Sequence, residues 1–130
     1  MNKILLTVSA FIAIACASSC QDETSYTPQI TAMQDSIFKA YPATVAAIHI
    51  NVENKTKLRI VLGGEQLYKS TADERQKMAN DLGMMAVRIF GKDSYLHTGA
   101  LVLTKDEHNT SDAPTDGVTS GINIDSLKKQ

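Results

Sequence analysis

His49, Asn51, Lys57 and Arg59 are the side chains whose types and spacing come nearest to a binding site. All four fall at outward positions of two adjacent alternating runs. A histidine, an amide and two cations sharing one sheet face can grip an anion or a carbohydrate. The same alternation also describes the ordinary solvated face of an antiparallel sheet, and that is the plainer reading. The other histidines, His97 and His108, have no second His or Cys at metal-ligand spacing, so no metal site is expected. Ser36 lacks the G-x-S-x-G frame of a nucleophile elbow, and Gly63-Gly64-Glu65 lacks the phosphate-loop pattern and reads as a turn. The acidic pairs Asp73-Glu74 and Asp106-Glu107 are explained by helix capping and solvation. No catalytic residue and no cofactor is expected, and the chain is not read as an enzyme.

The elements that would position these residues follow from periodicity. Thr27-Pro28 reads as a helix start, with Thr27 as N-cap and Pro28 where a missing N–H costs nothing. Ile30, Met33 and Ile37 form a stripe that Phe38 and Tyr41 extend, and Pro42 disfavours helical geometry at Tyr41, predicting a helix over 29–40. Ile48, Ile50 and Val52 alternate with His49 and Asn51 in one strand, and Leu58, Ile60 and Leu62 with Lys57, Arg59 and Val61 in a second. The polar link 53–56 between them predicts an antiparallel hairpin. Thr71-Ala72-Asp73-Glu74 is a capping box. Met78, Leu82, Met85 and Ile89 then recur on one face, widened by Ala79, Ala86 and Phe90, so a helix should span 72–90 and stop at Gly91. Gly83 inside it costs ~1 kcal/mol relative to Ala and marks close approach to the sheet. Within 95–104, Leu101 and Leu103 alternate with Ala100 and Val102 in a third strand. From Lys105 onward Asp, Thr, Ser, Gly and Pro dominate, predicting a mobile polar tail over 105–130 in which 121–125 is a candidate edge strand. The order helix, strand, strand, helix, strand implies a small α+β two-layer sandwich over 27–104. Both helices should cover one face of a sheet with three strands, or four if the edge strand forms.

Composition excludes some partners. The chain has 130 residues, with 13 basic and 14 acidic side chains. That balance carries no basic excess for nucleic acid. Its two cysteines, Cys16 and Cys20, both lie near the start, so no disulfide can form within the folded part. Lys3 precedes the 14-residue uncharged run Ile4–Ala17. At ~1.5 Å per residue such a run falls short of a ~30 Å hydrocarbon core, which favours a cleaved leader over a membrane span. Removing residues 1–19 leaves 111, enough for one domain.

Two processing routes compete for this leader. Ala15-Cys16-Ala17 suits ordinary signal peptidase and would release a soluble chain beginning at Ser18. Ala17-Ser18-Ser19-Cys20 resembles the lipobox of bacterial lipoproteins, with Ala17 standing where that family usually has Leu; Cys16 is a poorer candidate because Ile14 precedes it. The resemblance covers the leader only. It implies diacylation of Cys20, a tether over 20–26, and a lipid-anchored protein of the cell envelope, expected in the outer membrane. Asp22-Glu23 resembles the signal that sends some Gram-negative lipoproteins to the cell surface; as a solvated tether it would carry no such message. Asp125-Ser126-Leu127 and Asp35-Ser36-Ile37 resemble an O-glycosylation pattern of some Gram-negative exported proteins. The expected partners are the membrane, through the N-terminal lipid, and an envelope protein or a glycan. The alternatives are a soluble periplasmic inhibitor or immunity-type protein and an accessory to an envelope enzyme.

Overall fold

Thr71 caps its helix as its spacing requires. The Thr71 hydroxyl accepts the Glu74 N–H at 3.2 Å, and the Glu74 carboxylate accepts the Thr71 N–H at 2.9 Å. These contacts belong to a computed structural model describing residues 26–108 and 113–130. The leader, the start of the tether and Cys20 lie outside the described residues. The elements are α1 (Thr27–Ala40), β1 (Ala47–Glu53), β2 (Lys57–Gly63), α2 (Glu65–Tyr68), α3 (Ala72–Phe90), β3 (Thr98–Thr104), β4 (Val118–Ile122) and α4 (Ile124–Leu127).

The fold is a small α+β sandwich on a four-stranded mixed sheet, ordered β1-β2-β3-β4. β1 and β2 form the expected hairpin, pairing Ile50 with Ile60 and Asn51 with Arg59. Asn54 and Lys55 make its turn at φ 53° and 66°. β3 runs parallel to β2, Ile60 opposite Leu101, and the connection between them carries α2 and α3. A parallel neighbour needs such a long crossover, whereas a hairpin does not. Met33 and Ile37 of α1, with Ala79, Leu82, Ala86 and Val87 of α3, pack on Ile50, Leu58, Ile60, Leu62, Leu101 and Leu103. Both long helices therefore cover one sheet face.

Three expectations need correction. Thr27 lies inside α1; Tyr26 is the N-cap and supplies no side-chain capping bond, so Pro28 alone marks the start. Phe38 does not extend the buried stripe and stays 44% exposed. The largest change concerns the tail, because residues 118–127 are folded. β4 pairs antiparallel with β3 along Gly99–Leu103, and Ile122, Ile124 and Leu127 enter the core. A single edge strand needs only one buried residue in two, which a polar composition hides. Gly83 explains why α3 can meet this segment: a Cβ there would lie 2.7 Å from Ile122 Cγ2 and would also collide with Leu127. The approach foreseen at Gly83 is thus to β4 and α4. The loop before β4 is tied back by Asp116, which accepts the Thr104 hydroxyl at 2.6 Å and the Lys105 N–H at 3.1 Å.

Candidate functional site

The face opposite the helices carries the four residues singled out by pattern. Asn51 and Arg59 are directly cross-strand, while Lys57 faces Glu53 and His49 faces Val61. Lys57 thus stands opposite an acid, and opposite charges at facing positions favour each other. All four side chains are half-buried. The centre of this face is not the solvated surface that alternation suggests, because Val61 and Val102 are 1% and 2% exposed. Gly117 comes close over Val102, where an added Cβ would lie 2.8 Å from its Cγ1. The face brings together Asn51 and Arg59, but it spreads His49 and Lys57 to opposite ends.

A different cluster forms at the end of the sheet where β3 begins and β4 stops. Backbone pairing continues beyond the strands on both sides of β3: the Asp125 N–H donates to the His97 carbonyl at 3.1 Å on the β4 side, and the His97 N–H donates to the Thr56 carbonyl at 2.9 Å on the β2 side. This backbone clamp sets the two side chains beside each other, with His97 Nδ1 2.8 Å from Asp125 Oδ1. The hydrogen bond from His97 holds the Asp125 carboxyl below its ordinary range, helped by the charges of His97, Lys128 and Lys129. With the Nδ1–H donating to the carboxylate, Nε2 is the acceptor of the neutral ring and the donor of the protonated one.

Around the pair lies an open cleft of about 620 Å³, lined also by Gln76, Asn80, Thr98 and Asn123. Helical spacing of four places Gln76 and Asn80 on one face of α3, and the Gln76 amide donates to both Asn80 Oδ1 and the Gly121 carbonyl, each at 3.2 Å. Asn123 caps α4 by accepting the Ser126 N–H at 3.0 Å, which leaves its NH₂ to donate elsewhere. Three amides, a hydroxyl and an oriented imidazole offer mixed donors and acceptors. Such a lining matches a neutral ligand rich in hydroxyl groups. No group of three or more His, Cys, Asp or Glu among the described residues is placed to hold a metal ion.

By local pattern His97 reads only as a metal-ligand candidate, and Asp125 only as part of a glycosylation-like motif and of a candidate edge strand. Their partnership spans 28 positions and depends on β4, so no local spacing could reveal it. Of the two glycosylation-like serines, Ser36 lies in α1 with its hydroxyl donating to the Ala32 carbonyl, and Ser126 lies in α4. No protein-family model matches the chain, and neither a curated protein nor a solved structure does.

Proposed function

We propose that this chain is a lipid-anchored protein of the cell envelope, held by acyl chains on Cys20, whose small domain binds a hydroxyl-rich ligand, such as a glycan, in the His97–Asp125 cleft. The observation that carries the anchor is Ala17-Ser18-Ser19-Cys20 at the end of a 14-residue uncharged run behind Lys3. Among the described residues no helix is long and apolar enough to cross a membrane. Each buried CH₂ contributes ~0.8 kcal/mol, and more than one chain makes attachment stable. The cleft supplies the recognition chemistry, with amides to donate and accept and His97 Nε2 fixed in direction by Asp125.

The second reading is a soluble periplasmic protein of inhibitor or immunity type, favoured by Ala15-Cys16-Ala17 as an ordinary cleavage site. Globomycin, which blocks lipoprotein signal peptidase, separates the two. Accumulation of uncleaved precursor supports the anchor, and so does movement of Cys20→Ser from the membrane fraction to the soluble one. Unchanged processing and unchanged fractionation would sink it.

A further inference from the structure

The end of the domain where the described chain begins, at Tyr26, carries a second cleft, of about 570 Å³, lined by Tyr26, Lys55, Phe90, Lys92 and Tyr95 among others. The Tyr26 and Phe90 rings stack at 5.4 Å between centroids with their planes 59° apart, and the Tyr26 hydroxyl donates to the Lys55 carbonyl at 3.4 Å. These contacts join the start of α1, the β1–β2 turn and the end of α3 into one surface. Tyr95 stands out from it at 70% exposure. Lys55 holds a left-handed backbone at φ 66°, which is strained in a residue with a Cβ. A glycine would relieve that strain, yet the turn presents a lysine.

We propose that this end of the domain rests on the headgroup layer of the bilayer that holds the acyl chains of Cys20, with Tyr95 entering the interface and Lys55 and Lys92 meeting lipid phosphates. The proposal rests on the anchor reading. Tyr26 lies six residues after Cys20, and a chain extends at most ~3.5 Å per residue, so the tether reaches no more than about 20 Å. That distance is less than the headgroup layers and hydrocarbon core of one bilayer together, and it holds the Tyr26 end of the domain beside the membrane. Tyrosine rings prefer the interface because the ring is apolar and the hydroxyl is wet. Lysine stems lie along apolar surface while the ammonium stays in water. Asp93 also borders the cleft and Glu53 lies just before the turn. The surface is therefore mixed in charge, and its aromatic rings, more than bulk cationic attraction, supply the affinity. Phe38, the other large apolar side chain exposed among the described residues, sits near the far end of α1.

The chain contains no tryptophan, so Tyr95→Trp gives a single tryptophan whose emission can be excited selectively over that of the tyrosines. The processed, lipid-bearing full chain is placed in vesicles of equal parts phosphatidylcholine and phosphatidylglycerol, and emission is compared with vesicles whose acyl chains are brominated near the headgroup. Tyr95→Trp should shift to shorter wavelength and lose emission to the bromines, while Phe38→Trp should do neither. Lys55→Glu with Lys92→Glu should weaken the quenching of Tyr95→Trp. A mass showing lipid on Cys20 together with an unquenched Tyr95→Trp overturns this proposal and leaves the anchor standing. Equal quenching of both tryptophans overturns it as well, since the domain would then have no fixed seat. A Cys20 without lipid overturns the anchor and the seat together.

Discussion

Gly83→Ala tests the packing on which the His97–Asp125 cleft depends, because β4 and α4 hold one side of that cleft. A Cβ at 83 would lie 2.7 Å from Ile122 Cγ2 and nearer still to a terminal methyl of Leu127. Carbon pairs rest at about 3.5–4.0 Å, so both neighbours must move. Leu127 can turn its methyl at small cost, but Ile122 is branched at Cβ and stiff at χ1. Overpacking of this kind costs about 1–3 kcal/mol, against a helix-propensity gain of about 1 kcal/mol for Ala over Gly. The net expectation is destabilisation by about 1 kcal/mol. In an Ile122→Ala background the obstructing branch is gone, and the same substitution should stabilise by about 1 kcal/mol through propensity alone. The coupling between the two sites is then about 2 kcal/mol, well above the scatter of independent positions. Urea denaturation of the four proteins, followed by far-ultraviolet circular dichroism, measures it. If Gly83→Ala stabilises equally in both backgrounds, β4 does not pack on α3 and the cleft described above does not exist.

Truncation after Gly117 removes Ile122, Ile124 and Leu127, which are 3%, 1% and 9% exposed. At about 1.5–3 kcal/mol for each buried side chain, the loss is comparable to the whole stability of a domain this size, so the shortened chain should lose its cooperative urea transition. Thr71→Ala should cost about 1 kcal/mol in the same assay by uncapping α3. The carboxyls of Glu74, Asp116 and Asp125 are all held below their ordinary range, chiefly by the Thr71 N–H, the Thr104 hydroxyl and His97 respectively. Their folded values lie below the unfolded ones, so their stabilisation is complete above about pH 5 and fades as pH falls through the folded values. The urea midpoint should drop on acidification, and Asp116→Asn should flatten that drop. His97→Ala and Asn80→Ala should each abolish or sharply weaken saccharide binding on a glycan array without moving the urea midpoint by much; unchanged binding by both variants would remove the cleft from the account.

Features set by neighbours in the chain were legible in advance, and those set by distant partners were not. The Thr71–Glu74 capping box closes within one helical turn, and Ile48, Ile50, Leu58 and Ile60 alternate because all four pack into or against the core on the helix side of the sheet. β4 offers no comparable signal. Only Ile122 of Val118–Ile122 is fully buried, and Thr119, Ser120 and Gly121 resemble a loop by composition. With 121–125 offered only as a candidate edge strand of unknown partner, the His97–Asp125 pair stayed hidden, since only the β3–β4 ladder brings those residues together. Alternation in β1 and β2 separates the residues that face the helices from those that face away, but it carries no sign that Val61 and Val102 are buried on the second face.

Lipidation of Cys20 is tested by the mass of the mature N-terminus. The N-terminal peptide of protein taken from the membrane fraction should begin at Cys20 and carry the added mass of its acyl chains. A peptide beginning at an unmodified Ser18 would contradict it.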